Sequence, residues 1–250
     1  MPSLSDTRRL RTALTAPRAD LLALFAGALL PLAFAPLSLF PLAVLSPALL
    51  FLSWLDVTPQ RALWRGLLFG FGQFGVGVSW VYVAIHDFGH SGMPLAVLLT
   101  ALFVGVLALF PMLLGYLVAR FLRGPDWLRL GLLFPAAWTL IEWCRGWFLT
   151  GLPWLNLGYS QIDAPLRGFA PLTGVYGVSL MVAVSAGLVA ALVLTERRIR
   201  LFAVTGLAVL WLCGVLLTQI DWTEASGPPL RVSLVQGNIG FNDPEFHKRE

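Results

Sequence analysis

Seven apolar runs follow one another along this chain, at roughly 21–35, 38–55, 63–85, 93–120, 129–148, 171–194 and 199–219, with polar breaks between them. A helix that crosses a bilayer needs about 20 mostly apolar residues. A water-soluble fold needs charged surface, yet 12% of the 250 residues are charged, about half the usual share. The hydrophobic fraction, 58%, is enough for about seven spans. The sequence therefore predicts an all-α polytopic membrane bundle. It excludes a soluble globular domain, a disordered chain and a nucleic-acid binder, whose basic residues would have to form a patch.

The first two runs are short and carry Pro31, Pro36, Pro41 and Pro47, which predicts a tight helical hairpin or broken helices. Proline in lipid requires neighbours that satisfy the freed carbonyls, so the runs should pack as one bundle. The basic N-terminus and the run ending at Ala33-Phe34-Ala35 imitate a cleaved signal peptide. Pro36 stands where cleavage would occur, and further spans follow at once, so the segment is read as retained.

Arginine sets the orientation. The basic residues are 16 Arg and Lys248. Arg8, Arg9, Arg11, Arg18, Arg61, Arg65, Arg120, Arg123, Arg129, Arg197, Arg198 and Arg200 fall on the side of the N-terminus, whereas the outer loops hold only Arg145 and Arg167. Positive charge stays in the cytoplasm. The expected organisation is a cytoplasmic segment 1–20, a transmembrane helical domain 21–220 and an external tail 221–250. In that tail Gly227 to Pro229 reads as a linker, and Leu230 to Gln236, with its β-branched residues, as a strand.

Several groups stand out from the apolar background. Glu142 and Arg145 are three residues apart, on one helical face near a span end. They are either a structural ion pair that fixes the following loop or a substrate contact, because ionisable groups at membrane depth are costly. The loop that follows carries Trp147, Thr150, Pro153, Trp154, Tyr159 and Gln161. It reads as an interfacial aromatic belt or as a lipid-contacting, substrate-gating loop. Gly66, Gly70, Gly72, Gly75 and Gly77 predict close helix packing, or a ligand groove. His86, Asp87 and His90 have the i, i+4 spacing of a metal site, but Gly89 and Gly92 oppose a helix there and a third ligand is lacking. No metal or other cofactor is expected. Cys144 and Cys213 lie inside apolar runs without a His or Lys close in sequence, and no Ser-His-Asp arrangement or phosphate loop is present.

The stretches Glu142 to Trp147, Thr150 to Leu155 and Leu157 to Gln161 resemble the signature loop of bacterial apolipoprotein N-acyltransferases. Gly77 to Val83 is similar to another stretch of that family, and Val235 to Ile239 to the opening strand of its nitrilase-like domain. The resemblance implies a multi-pass inner-membrane enzyme with its tail in the periplasm. Such an enzyme takes an acyl chain from a phospholipid donor, typically phosphatidylethanolamine, and passes it to the diacylglyceryl-cysteine of an apolipoprotein acceptor. It implies a Cys nucleophile forming a thioester, with a Glu base and a Lys at the oxyanion. Cys144, Cys213 and Lys248 do not occupy those motif positions, so no catalytic residue is carried over and the triad is expected beyond Glu250. The chain then reads as the membrane half of the enzyme, truncated or a fragment, and inactive alone. The alternatives are a non-catalytic lipid carrier or transporter, or the membrane subunit of a split acyltransferase.

Overall fold

The structure is a computed structural model and describes residues 18–194, 197–224 and 226–236. Arg8, Arg9, Arg11, Lys248 and the stretch 237–239 lie outside the described residues.

The described residues are helical, with no strand. Helix α1 spans Arg18–Leu29 and runs into a 3₁₀ turn at Leu30–Ala33, where Pro31 enters. Helix α2, Pro41–Ser53, starts on a proline, which costs nothing at a position whose N–H has no helical partner. Helix α3, Pro59–Gly77, is capped by Thr58, whose hydroxyl accepts from Arg61 N. A short α4, Trp80–Val83, continues into a π-helical turn at Ala84–Phe88. Helix α5 is Met93–Phe121. After α6, Asp126–Leu128, and a π turn at Arg129–Leu133 comes α7, Phe134–Arg145. Helices α8, Ala170–Leu194, and α9, Arg197–Leu217, complete the bundle.

These segments coincide with the apolar runs, but not all are long enough to be spans. Three helices have the length and apolar content to cross a membrane, Met93–Phe121, Pro165–Val193 and Arg198–Leu217. Pro59–Gly77 with Trp80–Phe88, bent by 53°, makes a fourth if the pair is one span. The expected seven is not reached by this measure. Helix α2 has 13 residues and rises about 20 Å against a hydrocarbon core of about 30 Å. Helix α7 follows the π turn without a break and carries two charges, Glu142 and Arg145.

Prolines and glycines explain the packing. Helix α3 lies between α1 and α5. A Cβ at Gly66 would stand 2.1 Å from Pro111 O, one at Gly70 2.7 Å from Ala108 Cα, and one at Gly72 2.2 Å from Leu24 O. Their backbones touch because there is no side chain between them. Gly75 meets nothing within 4 Å. The core is aromatic where α2, α3 and α7 meet. Phe51 packs edge-on to Phe134 at 5.7 Å, and Phe69 edge-on to Trp138 at 5.8 Å. At the other end of α3, fully buried Arg65 donates from Nε to Asp20 at 2.9 Å and from Nη1 to Ser53 O, while Arg61 grips the second Asp20 oxygen at 2.6 Å.

The tail departs from expectation. Residues 230–236 have no regular secondary structure, and Leu230, Val232, Leu234 and Val235 are exposed. A strand needs a partner for its backbone groups, and the described residues offer none.

Candidate functional site

The last turn of α7 aims two charges at the loop that follows it. Glu142 is 2% and Arg145 4% exposed. No direct ion pair closes between them among the described residues. Each takes hold of the loop instead. Glu142 Oε1 accepts from Trp138 Nε1 at 2.8 Å and from Leu157 N at 2.9 Å. Arg145 Nη1 donates to Trp154 O and Nη2 to Asn156 Oδ1, both at 2.6 Å. Its guanidinium also lies 5.2 Å from the centre of the Phe74 ring. Backbone donors and acceptors inside an apolar bundle must be paired, and charged partners form the stronger bonds.

The loop is then tied to α8. Gly158 N donates to Ser179 Oγ at 2.8 Å, and a Cβ at Gly158 would stand 2.3 Å from Val175 O. Ser160 Oγ donates to Leu157 O, and Gln161 Nε2 to Ser160 Oγ. Gln161 and Asn156 are fully buried, with Gln161 Oε1 and Asn156 Nδ2 unpartnered among the described residues. The preceding stretch is different in kind. Leu149, Thr150 and Gly151 have φ of 49°, 75° and 81° in succession. A left-handed β-branched Thr is a strained conformation, and Thr150, Pro153 and Trp147 are exposed.

Six of the eight expected site residues separate into two groups. Glu142, Arg145 and Gln161 are internal braces. Pro153, Trp154 and Tyr159 line an open cavity of about 810 Å³, together with the 31–35 connector, the end of α3 and Trp80. Its lining is predominantly apolar. Trp80 and Trp154 pack at 5.6 Å between ring centres, and Gly77 leaves room for Leu155, whose Cδ1 would stand 2.3 Å from a Cβ there. Trp147 and Thr150 do not line the cavity, and Trp147 packs edge-on to Trp143 instead. Asn156, Trp138, Phe74 and Ser179 were not anticipated. Asn156, a lone amide between two leucines, carried a readable signal; Ser179 on an apolar helix carried none.

The histidine group does not form a metal site of the expected geometry. The helical turn ends at Phe88, His90 lies beyond it with φ of 48°, and His86 Nδ1 is 2.6 Å from Asp87 Oδ1. Among the described residues no three potential ligands come together.

The family model described as the apolipoprotein N-acyltransferase N-terminal domain matches residues 26–188. Proteins with the name apolipoprotein N-acyltransferase are similar over most of the chain. The relative from Methylococcus capsulatus is 49% identical over 222 residues, covering 89% of this chain and 44% of its own length. The one from Coxiella burnetii is 51% identical over 223 residues, covering 88% and 46%. The one from Azotobacter vinelandii is 48% identical over 232 residues, covering 90% and 45%. The chain thus spans a little under half the length of the curated relatives it matches.

Proposed function

Given that the chain belongs to the apolipoprotein N-acyltransferase family, we propose that it forms the membrane and lipid side of an enzyme that moves an acyl chain from a phospholipid to a lipoprotein. The observation that carries this reading is the braced loop, which holds Pro153, Trp154 and Tyr159 as one wall of an apolar cavity. Such a cavity binds by removing apolar surface from water or by substituting for lipid contacts, and it suits a hydrocarbon chain.

The proposed setting is the bacterial inner membrane, with the N-terminus in the cytoplasm and residues 221–250 in the periplasm. The arginine distribution supports that orientation. Exposed apolar side chains such as Leu98, Leu102, Phe202 and Leu212 support a lipid surround.

Chemically, a Cys thiolate would attack the ester carbonyl of the donor and expel the lysophospholipid's alkoxide, which takes up a proton. The α-amino group of the diacylated acceptor would then displace the thiolate and lose a proton to the base. The described residues do not assemble such a centre. Neither Cys144 nor Cys213 bonds to a His, a Lys or a carboxylate among them. We therefore assign the transfer itself to parts of the relatives' length that this chain does not span, and expect residues 1–250 alone to be inactive. Expressing the chain in cells depleted of the native enzyme tests this. Lipoproteins should remain diacylated, and restored triacylation would overturn the assignment.

A further inference from the structure

Three buried polar atoms beneath the loop have no partner among the described residues: Glu142 Oε2, Asn156 Nδ2 and Gln161 Oε1. Neither amide can turn round to relieve this. Asn156 must keep its oxygen on the Arg145 guanidinium, which has only donors to offer. Ser160 Oγ gives its single hydrogen to Leu157 O, so the Gln161 group that meets it has to be the NH₂. The three side chains are also gathered around one residue. Leu157 N holds the Glu142 carboxylate, Leu157 O holds the hydroxyl that carries Gln161, and Asn156 immediately precedes it. Ser179, whose hydroxyl accepts from Gly158 N, faces the same carboxylate from α8.

We propose that this cluster is a closed site for one water molecule, which donates to Glu142 Oε2 and Gln161 Oε1 and accepts from Asn156 Nδ2. The ligand class follows from the mixture of groups. A cation would face the Asn156 N–H, and an anion would face two acceptors. A small neutral molecule with two donors and a free lone pair matches all three, and a buried water typically makes about three such bonds. Stranding buried polar groups is costly, so a water that meets all of them is held. It acts as a structural ligand of the loop. Gln161, at the end of the 3₁₀ turn Leu157–Gln161, bonds directly only to Ser160 among the described residues; the water ties it back to α7. The inference concerns the brace alone and does not depend on the acyl-transfer reading.

The test is a crystal structure of the 250-residue chain grown from a lipid mesophase, at a resolution that shows ordered water. A density peak should lie within about 2.7–3.2 Å of all three atoms. Gln161→Met, close in size and without a hydrogen-bonding amide, should lose the peak and lower the melting temperature. Glu142→Gln should keep it, because the water can accept from the new NH₂ and still donate to Gln161. No peak in the wild-type chain, a direct Asn156–Gln161 bond, a protonated Glu142 bonded straight to Gln161, or a peak indifferent to Gln161→Met would overturn the proposal. A second measurement needs no change in the brace. Asn156, Asn238 and Asn242 are the chain's asparagines, so Asn238→Ser with Asn242→Ser leaves one asparagine side-chain amide to label with nitrogen-15. In nanodiscs its N–H should show magnetisation transfer from water although Asn156 is fully buried, and no transfer would count against the site.

Discussion

Arg145 Nη2 and Asn156 Oδ1 lie 2.6 Å apart, both groups buried, and this bond with its neighbour to Trp154 O converts an eleven-residue excursion into a fixed wall. Removing one partner of a buried charged contact costs about 3–5 kcal/mol when the charge is left unpaired. Arg145→Ala removes the charge itself but leaves Trp154 O and Asn156 without a donor. It should lower the melting temperature of the detergent-solubilised chain and expose 146–168 to proteolysis. Asn156→Ala should do less, because Trp154 O still accepts. The double variant should fall short of the sum, showing a coupling of about 1 kcal/mol or more. Additive losses would show that the bond does not hold the loop.

The two groups of loop residues explain how far the sequence could be read. Helix positions were legible because apolar runs and prolines act locally. The residues 142–161 stood out as a distinct loop for the same reason. What was not legible is direction. Glu142 and Arg145 share a helix face, and that alone suggests a pair. Only the path of the loop, which brings Leu157 N and Asn156 over α7, shows that each charge has a better partner. The count of seven spans is not confirmed for a related reason. Composition counts apolar residues but cannot tell a crossing helix from a short one such as α2, buried against neighbours.

Glu142 separates charge from hydrogen bonding. Its Oε1 accepts from two N–H groups. Glu142→Gln keeps an acceptor and should cost little, within about 1 kcal/mol, whereas Glu142→Ala strands two buried donors and should cost about 1–3 kcal/mol for each. Denaturation midpoints of the two variants check this. If Gln and Ala are equally damaging, the carboxylate's charge matters more than its acceptor geometry.

The glycines of α3 differ in consequence although they are alike in sequence. Gly66→Ala and Gly72→Ala force a Cβ onto the backbone of α5 and α1, so the chain should lose folded yield in the membrane. Gly75→Ala meets open space and should be neutral or stabilising by up to about 1 kcal/mol, since helical Gly is entropically costly. Yield and thermal stability measured across the three variants decide it. Similar losses at all three positions would contradict the helix contacts.

Trp154 is the residue where packing and proposed function meet. Its carbonyl is fixed by Arg145, so its backbone stays in place whatever the side chain is. Its ring lines the cavity against Trp80. In a full-length relative carrying the same loop, the equivalent of Trp154→Ala should therefore leave membrane levels normal and slow acyl transfer, because the acyl chain loses a wall rather than the protein losing its fold. Gln161→Ala makes the contrast. That side chain is buried in the brace and does not line the cavity that Trp154 walls, so its loss should act through stability, with transfer per folded molecule nearly unchanged. Transfer rates normalised to membrane level, measured for both variants, separate the two roles. Unchanged transfer in the tryptophan variant would mean that the aromatic wall only anchors the loop.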